Sequence, residues 1–162
     1  MRRWLIVTSI LVLAGCGGAG FLLPFDPAPL VGNYTGNWQN QTFSTTGGAT
    51  MSLSTNSGAQ TATMVLDLNG SVFGGADPAA VTMNGTYNDN GMTVTGTTTV
   101  FGQMTFSVNG AGVVSGSAPN VPGSTVDSMS FFGTISNSGA NITYTLAMAG
   151  GGNATGTLTL TK

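Results

Sequence analysis

The chain has no histidine, no glutamate, one cysteine (Cys16) and very few charges of either sign. Three residues are Lys or Arg, and the five acidic residues are all Asp. Nucleic-acid binding needs Lys and Arg to neutralise phosphates, and attraction to anionic lipid headgroups needs them too, so the sequence excludes both kinds of partner. A single cysteine also excludes an internal disulfide, so stability has to come from apolar packing and hydrogen-bonded structure.

The same scarcity leaves few residues for catalysis. Without His or Glu, a Ser or Thr nucleophile lacks an obvious general base, and Lys162 is the last residue of the chain. The acids lie in separate segments and form no aspartic-protease motif: Asp26, Asp67, Asp77, Asp89 and Asp127. Two Asp side chains meeting across a barrel mouth for glycosidase-like work are the alternative. We therefore predict a protein that is not an enzyme and that uses no cofactor or metal.

The N-terminal segment has the proportions of a secretory signal peptide. Arg2 and Arg3 precede an apolar run over residues 4–12, which is too short for a membrane-spanning helix of about twenty apolar residues. Small residues and the sole thiol end the segment: Leu13, Ala14, Gly15 and Cys16. This ending resembles the lipobox of bacterial lipoproteins.

The lipobox resemblance implies a lipid anchor on Cys16. It implies a diacylglyceryl thioether on the thiol, cleavage before Cys16, and acylation of the new amino group, for example by palmitate. Two or more acyl chains hold a protein stably on a membrane. Gly17 stands where the enterobacterial retention signal has Asp, so the resemblance implies the outer membrane of a bacterial envelope. An ordinary cleaved signal with a chance cysteine is the alternative.

We predict three parts of the chain. These are a signal peptide over residues 1–15, a lipid-anchored tether over 16–30, and one β-domain over 31–162. The tether contains an apolar triplet, Phe21, Leu22 and Leu23. We expect the triplet to cover one end of the domain, the alternative being that it lies against the acyl layer.

Beyond the tether, apolar and small polar residues alternate with a period of two. Near the C-terminus, for example, Leu158 and Leu160 alternate with Thr157, Thr159 and Thr161. About nine such stretches occur, with a tenth near Val113, and turn signals such as Asn88-Asp89-Asn90-Gly91 separate them. The pattern predicts antiparallel strands in a meander, with the longest loops over residues 73–80 and 118–125.

The predicted fold is all-β, an antiparallel meander that closes into a small β-barrel. Glycines fall on the apolar face of several strands, where closed and coiled sheets need bends or close approaches. These glycines are Gly36, Gly85, Gly96, Gly133 and Gly156. A β-sandwich is the second choice because its strands alternate in the same way, and a transmembrane barrel is the third.

The first predicted strand carries a short motif around a tryptophan. Gly36-Asn37-Trp38 resembles the Gly-x-Trp signature of lipocalins, and the stretch from Tyr34 to Trp38 is similar to the opening strand of avidin-type barrels. Both resemblances imply an up-and-down barrel that binds a small ligand. The Arg that lipocalins place late in the chain has no counterpart here. The structural alternative is that Trp38 only fills the core.

Methionine is the second unusual feature of the apolar faces. Seven methionines lie on them: Met51, Met64, Met83, Met92, Met104, Met129 and Met148. Flexible thioethers fill irregular cores and also line adaptable binding surfaces. Plain core packing is therefore one interpretation and a pocket for an apolar ligand is the other. Thioethers also bind Cu(I), but no cysteine or histidine assists and no local methionine cluster exists in the sequence.

The turn segments with Asp and Asn could suggest calcium ligands. Asp67-Leu68-Asn69-Gly70 and Asn88-Asp89-Asn90-Gly91 each hold one carboxylate, whereas calcium usually takes six to eight oxygens and several carboxylates. Hairpin turns explain both segments better.

The sequence thus predicts a lipid-anchored envelope lipoprotein that binds a small apolar ligand inside a barrel. The alternative is a non-catalytic structural module, or one that interacts with an unidentified protein or glycan. The residues predicted to line a ligand pocket are Trp38, Met51, Met64, Met83, Met104, Phe106, Phe131 and Tyr144.

Overall fold

A computed structural model describes residues 24–72, 77–122 and 125–162. Within these ranges the chain forms ten β-strands and a short 3-10 helix, Ala28–Leu30. The strands are β1 Gly32–Asn40, β2 Thr45–Asn56, β3 Thr61–Leu68, β4 Val81–Asn88, β5 Gly91–Thr98, β6 Gly102–Asn109, β7 Val113–Ala118, β8 Val126–Ile135, β9 Gly139–Met148 and β10 Asn153–Thr161. No helix in the described part of the chain is long and apolar enough to cross a membrane. The predicted signal peptide, Cys16 and the apolar triplet lie outside the described residues.

The ten strands form one closed sheet. Each strand pairs in antiparallel fashion with the next along the chain, and β1 also pairs with β10, so the meander closes into a barrel. In the closing ladder Gly36 lies opposite Leu160 and Trp38 lies opposite Leu158. The predicted barrel is confirmed, the sandwich alternative is wrong, and the tenth strand near Val113 is β7. Each of the ten described strands therefore has a hydrogen-bonded neighbour on both sides.

Alternation along each strand divides the barrel into an apolar interior and a polar exterior. Tyr34, Trp38, Val94 and Val114 are among the side chains with almost no solvent exposure. Thr and Ser side chains occupy the outward positions, as in β5 with exposed Thr93, Thr95 and Thr97. This arrangement is the reverse of barrels whose outer face contacts lipid.

Asparagine side chains close several hairpins. In each case the side-chain oxygen of the last residue of a strand accepts a backbone N–H two to four residues further on, which satisfies donors that the ladder leaves free. The residues are Asn40, Asn56, Asn88 and Asn109. Asn88 accepts from the N–H of Asn90 at 2.9 Å, so this segment is a hairpin turn, as predicted.

The loops define two ends of the barrel. One end carries the connections over residues 57–60, 89–90, 110–112 and 136–138, and we call it the covered end. The other carries the described residues of the remaining connections, which are 41–44, 69–72, 77–80, 99–101, 119–122, 125 and 149–152, and we call it the mouth end. The two longest connections, predicted from their Pro and Gly content, both belong to the mouth end.

The segment before β1 packs across the covered end. The backbone N–H of Phe25 donates to the carbonyl of Asp89 at 2.9 Å, on the hairpin between β4 and β5. Leu30 is buried, and its carbonyl accepts the hydroxyl of Tyr34 at 2.6 Å. The part of the predicted tether that the structure describes, residues 24–30, therefore packs across one end of the barrel. The predicted cover by the apolar triplet lies outside the described residues and stays a prediction.

The C-terminal residue completes this cover. Lys162 Nζ donates to the carbonyl of Pro29 at 2.8 Å and lies 5.7 Å from the ring centroid of Tyr34. The ammonium group thus ties the end of β10 to the segment that precedes β1, at the seam where the barrel closes.

Interior glycines allow neighbouring strands to approach closely. A Cβ atom built on Gly85 would meet the backbone of β5, at the carbonyl of Thr93 and at Cα of Val94, 2.8 Å away. A Cβ on Gly133 would meet the backbone of β9 in the same way, near Cα of Ile142 at 2.7 Å. The predicted link between these glycines and barrel closure has this steric basis.

Replacing Gly85 should therefore destabilise the barrel. We expect Gly85→Ala to lower the free energy of unfolding by about 2–3 kcal/mol, because β4 and β5 have to move apart. Gly110→Ala is the matched control, since a Cβ there meets nothing within 4 Å, and it should change stability by about 0.5 kcal/mol or less. Urea unfolding measures both. Equal midpoints for the two variants would contradict the steric explanation.

Candidate ligand-binding site

An apolar cavity of about 60 Å³ lies inside the barrel. It is lined by Trp38, Met51, Met64, Leu66, Leu68, Met83, Met104, Phe106, Met129, Phe131, Ile142, Tyr144 and Leu158. All eight side chains that the sequence analysis chose as ligand-lining are among them. We call this space the inner cavity.

Three aromatic side chains of the inner cavity are paired across strands with glycines. Trp38 lies opposite Gly47, Phe131 opposite Gly116, and Tyr144 opposite Gly156. In each pair a Cβ on the glycine would collide with the aromatic ring. The missing side chains therefore give the rings room to lie over the neighbouring strands instead of filling the centre of the barrel.

Gly116 lies between two strands that carry aromatic rings, and the rings contact each other over it. It is the partner of Phe106 on one side and of Phe131 on the other. The two ring centroids are 5.9 Å apart with an angle of 31° between the planes, which is within the range of favourable aromatic pairs. One wall of the inner cavity is thus aromatic.

The polar atoms of the cavity lining are bonded to backbone. Trp38 Nε1 donates to the carbonyl of Asn69 at 2.9 Å, and the hydroxyl of Tyr144 donates to the carbonyl of Gln39 at 3.0 Å. Burial raises the pKa of Tyr144 to about 12, so its hydroxyl is neutral at ordinary pH. The inner cavity therefore offers a ligand apolar contact without charge.

Methionines from five different strands meet at this cavity. They are Met51 of β2, Met64 of β3, Met83 of β4, Met104 of β6 and Met129 of β8. The sequence contains no local methionine cluster, but barrel closure creates one in space. Thioether side chains have several rotatable bonds and adapt to the shape of a guest. The part of the lining that these methionines form is therefore deformable.

A wider depression of about 470 Å³ lies at the mouth end, and we call it the mouth. It is lined by Trp38, Asn40, Phe43, Thr45, Thr46, Ser71, Val72, Thr125, Val126, Leu146 and Met148. Thr46 is hydrogen-bonded to the neighbouring strand β1, because its hydroxyl donates to the carbonyl of Trp38 at 2.6 Å. The mouth mixes hydroxyl groups with apolar side chains.

The sequence analysis missed part of this site. The inner cavity is also lined by Leu66, Leu68, Met129, Ile142 and Leu158. The alternation of apolar residues placed them in the interior without showing at which height along the barrel. The mouth residues from loops, such as Val72, carried no periodic signal. Predicting the strand register of the closed sheet could have identified the additional inner-cavity residues. It could not have identified the mouth residues that come from loops.

Comparisons with known proteins add no further assignment: no protein-family model matches the chain, and no curated protein sequence matches it.

The burial of Tyr144 predicts late ionisation. Its hydroxyl should ionise near pH 12, above the ordinary value of 10.0, because burial disfavours the phenolate. Because the folded state favours the neutral form, this contribution to stability is complete below about pH 10 and is lost as the pH rises towards 12. In an alkaline titration of tyrosinate absorbance, Tyr144→Phe should remove one step near pH 12. A Tyr144 step near pH 10 in the folded protein would contradict the buried environment.

Proposed function

We propose that the protein is a lipid-anchored lipoprotein of the bacterial envelope that binds a small apolar ligand in the barrel interior. The observation that carries this proposal is the inner cavity, which adaptable methionines and aromatic rings line together and where every polar atom named on the lining is already bonded. Such a space offers contacts to an apolar guest and little to water. The proposed activity is binding without catalysis.

A second candidate is a structural or interaction module that binds no small ligand. The inner cavity is small, and an apolar space of this size can remain empty. An outward aromatic favours an interaction role, because Phe132 is 64% exposed on the polar outer face, opposite Ser115 and Thr143. A protein or glycan partner would then contact the outside of the barrel.

The proposed anchor gives the barrel an orientation. If Cys16 carries the lipid, the chain from Cys16 to Phe25 spans at most about 30 Å. Phe25 is hydrogen-bonded to the covered end, so the anchored segment would join the barrel at that end. The mouth then faces away from the bilayer, which suits exchange of a ligand with another carrier or with the aqueous phase.

The mass of the native protein tests the binding proposal. We expect protein released from its native host without denaturation to be heavier than the denatured chain by one discrete amount, the mass of the ligand. Native and denaturing mass spectrometry of the same preparation measure the difference. Equal masses, together with no uptake of apolar small molecules, would favour the structural module.

Replacement of Cys16 tests the anchor. We expect wild-type protein in the host to incorporate an alkyne-labelled palmitate and to fractionate with membranes, whereas Cys16→Ala should lose the label and leave the membrane fraction, because only the thiol forms the thioether. Ser9→Ala, in the apolar run of the leader, is the matched control and should keep the label. Label retained by Cys16→Ala would refute the lipobox assignment.

A further inference from the structure

Three spaces lie in series along one tryptophan. A void of about 30 Å³, lined by Trp38, Leu68, Val72, Phe101, Met129, Tyr144 and Leu146, lies between the mouth and the inner cavity. It shares Val72 and Leu146 with the mouth, and Leu68 and Tyr144 with the inner cavity. Trp38 lines all three spaces. The indole therefore forms one wall of a path from the mouth end to the centre of the barrel.

The indole is held in place rather than loosely packed. Its Nε1 donates to Asn69, and the ring lies over Gly47 and within 3.8 Å of the position where Gly70 would carry a Cβ. Gly70 is fixed in turn, because its N–H donates to a carboxylate oxygen of Asp77 at 2.6 Å. The path beside Trp38 thus has one rigid wall, and Met129 and Leu146 line the small void together with it.

None of the described residues that line the three spaces carries a charge at neutral pH. A charged group carried into this path would lose water without gaining a partner, which is strongly unfavourable. The hydroxyl groups at the mouth, such as those of Thr45 and Thr125, suit a neutral polar group instead.

The volumes limit what passes beyond the mouth. At roughly 10–15 Å³ for each water-sized group, the inner cavity and the small void together hold about six to nine such groups. The small void has the smallest volume of the three spaces, so a slender chain fits the path better than a ring system or a branched group.

We propose that the ligand is an uncharged, unbranched amphiphile that enters at the mouth end, with a short alkyl chain beside Trp38 in the inner cavity and a hydroxyl or ester group at the mouth. This inference rests on the proposed function and specifies its ligand class and its route. It also assigns Trp38 as the residue that reports occupancy, because the chain passes along its ring.

A homologous series of probes tests the ligand class. The full chain carrying Trp4→Phe leaves Trp38 as its single tryptophan, and its emission is titrated with 1-alkanols from butanol to decanol. Each added methylene should tighten binding about fourfold. The gain should stop near eight carbons, where the path is full. Hexanoate and hexylammonium, matched in length to hexanol, should bind at least tenfold more weakly.

Blocking variants test the route. Val72→Phe adds bulk between the mouth and the small void and should weaken octanol binding at least tenfold. Val113→Phe is the matched control, since Val113 is also half-buried but lines an outer groove near the covered end. Thr45→Phe, at an exposed mouth position, is a second blocking variant in case Val72→Phe unfolds, and urea midpoints check that each variant is folded.

The outcomes separate this inference from the proposed function. Equal affinity for hexanol and its charged analogues overturns the neutral ligand class, and octanol binding unchanged in both blocking variants overturns the route; either result leaves apolar binding intact. If no alkanol binds while the native mass shows a ligand, the amphiphile is the wrong class. If no probe binds and the masses are equal, the proposed function itself fails.

Discussion

The closed hydrogen-bond ladder between β1 and β10 is the constraint on which the rest of the structure depends. Once the sheet closes, every second side chain of the ten strands has to point into a single lumen, and the side chains between them point to the outside. Apolar side chains from strands far apart in the sequence, such as Met51 and Met129, then face one another. Closure thereby converts a simple alternation along the chain into a shared core with a defined centre.

Glycine determines how that centre is filled. Where glycines face the lumen, two strands approach more closely than a Cβ would allow, as at Gly85 and Gly133. Where a glycine pairs with an aromatic residue, as Gly116 does with Phe131, the ring folds over the neighbouring strand and leaves the axis of the barrel free. Flexible methionines occupy the remaining space, and the residual inner cavity results from this combination of flat rings and adaptable thioethers.

The two ends of the barrel differ because the chain itself covers one of them. Leu30 and Tyr34 form a hydrogen-bonded cover at the seam between β1 and β10, and Lys162 ties the C-terminus to it. The opposite end carries the two longest connections and the mouth. This polarity, together with cavity linings in which no described residue carries a charge, accounts for a proposed site that is approached from one side and suits uncharged molecules.

The alternation of residues such as Leu158 and Thr159 determined the antiparallel strands and their inward faces, because a strand repeats its side-chain direction every two residues. The apolar character of the residues that line the inner cavity also followed from this alternation. The sequence could not assign the pairing of Trp38 with Gly47, the height of Leu66 in the lumen, or the position of Val72 at the mouth. Those features depend on register, closure and loop path, which join residues distant in the chain, and only the tertiary structure decided them.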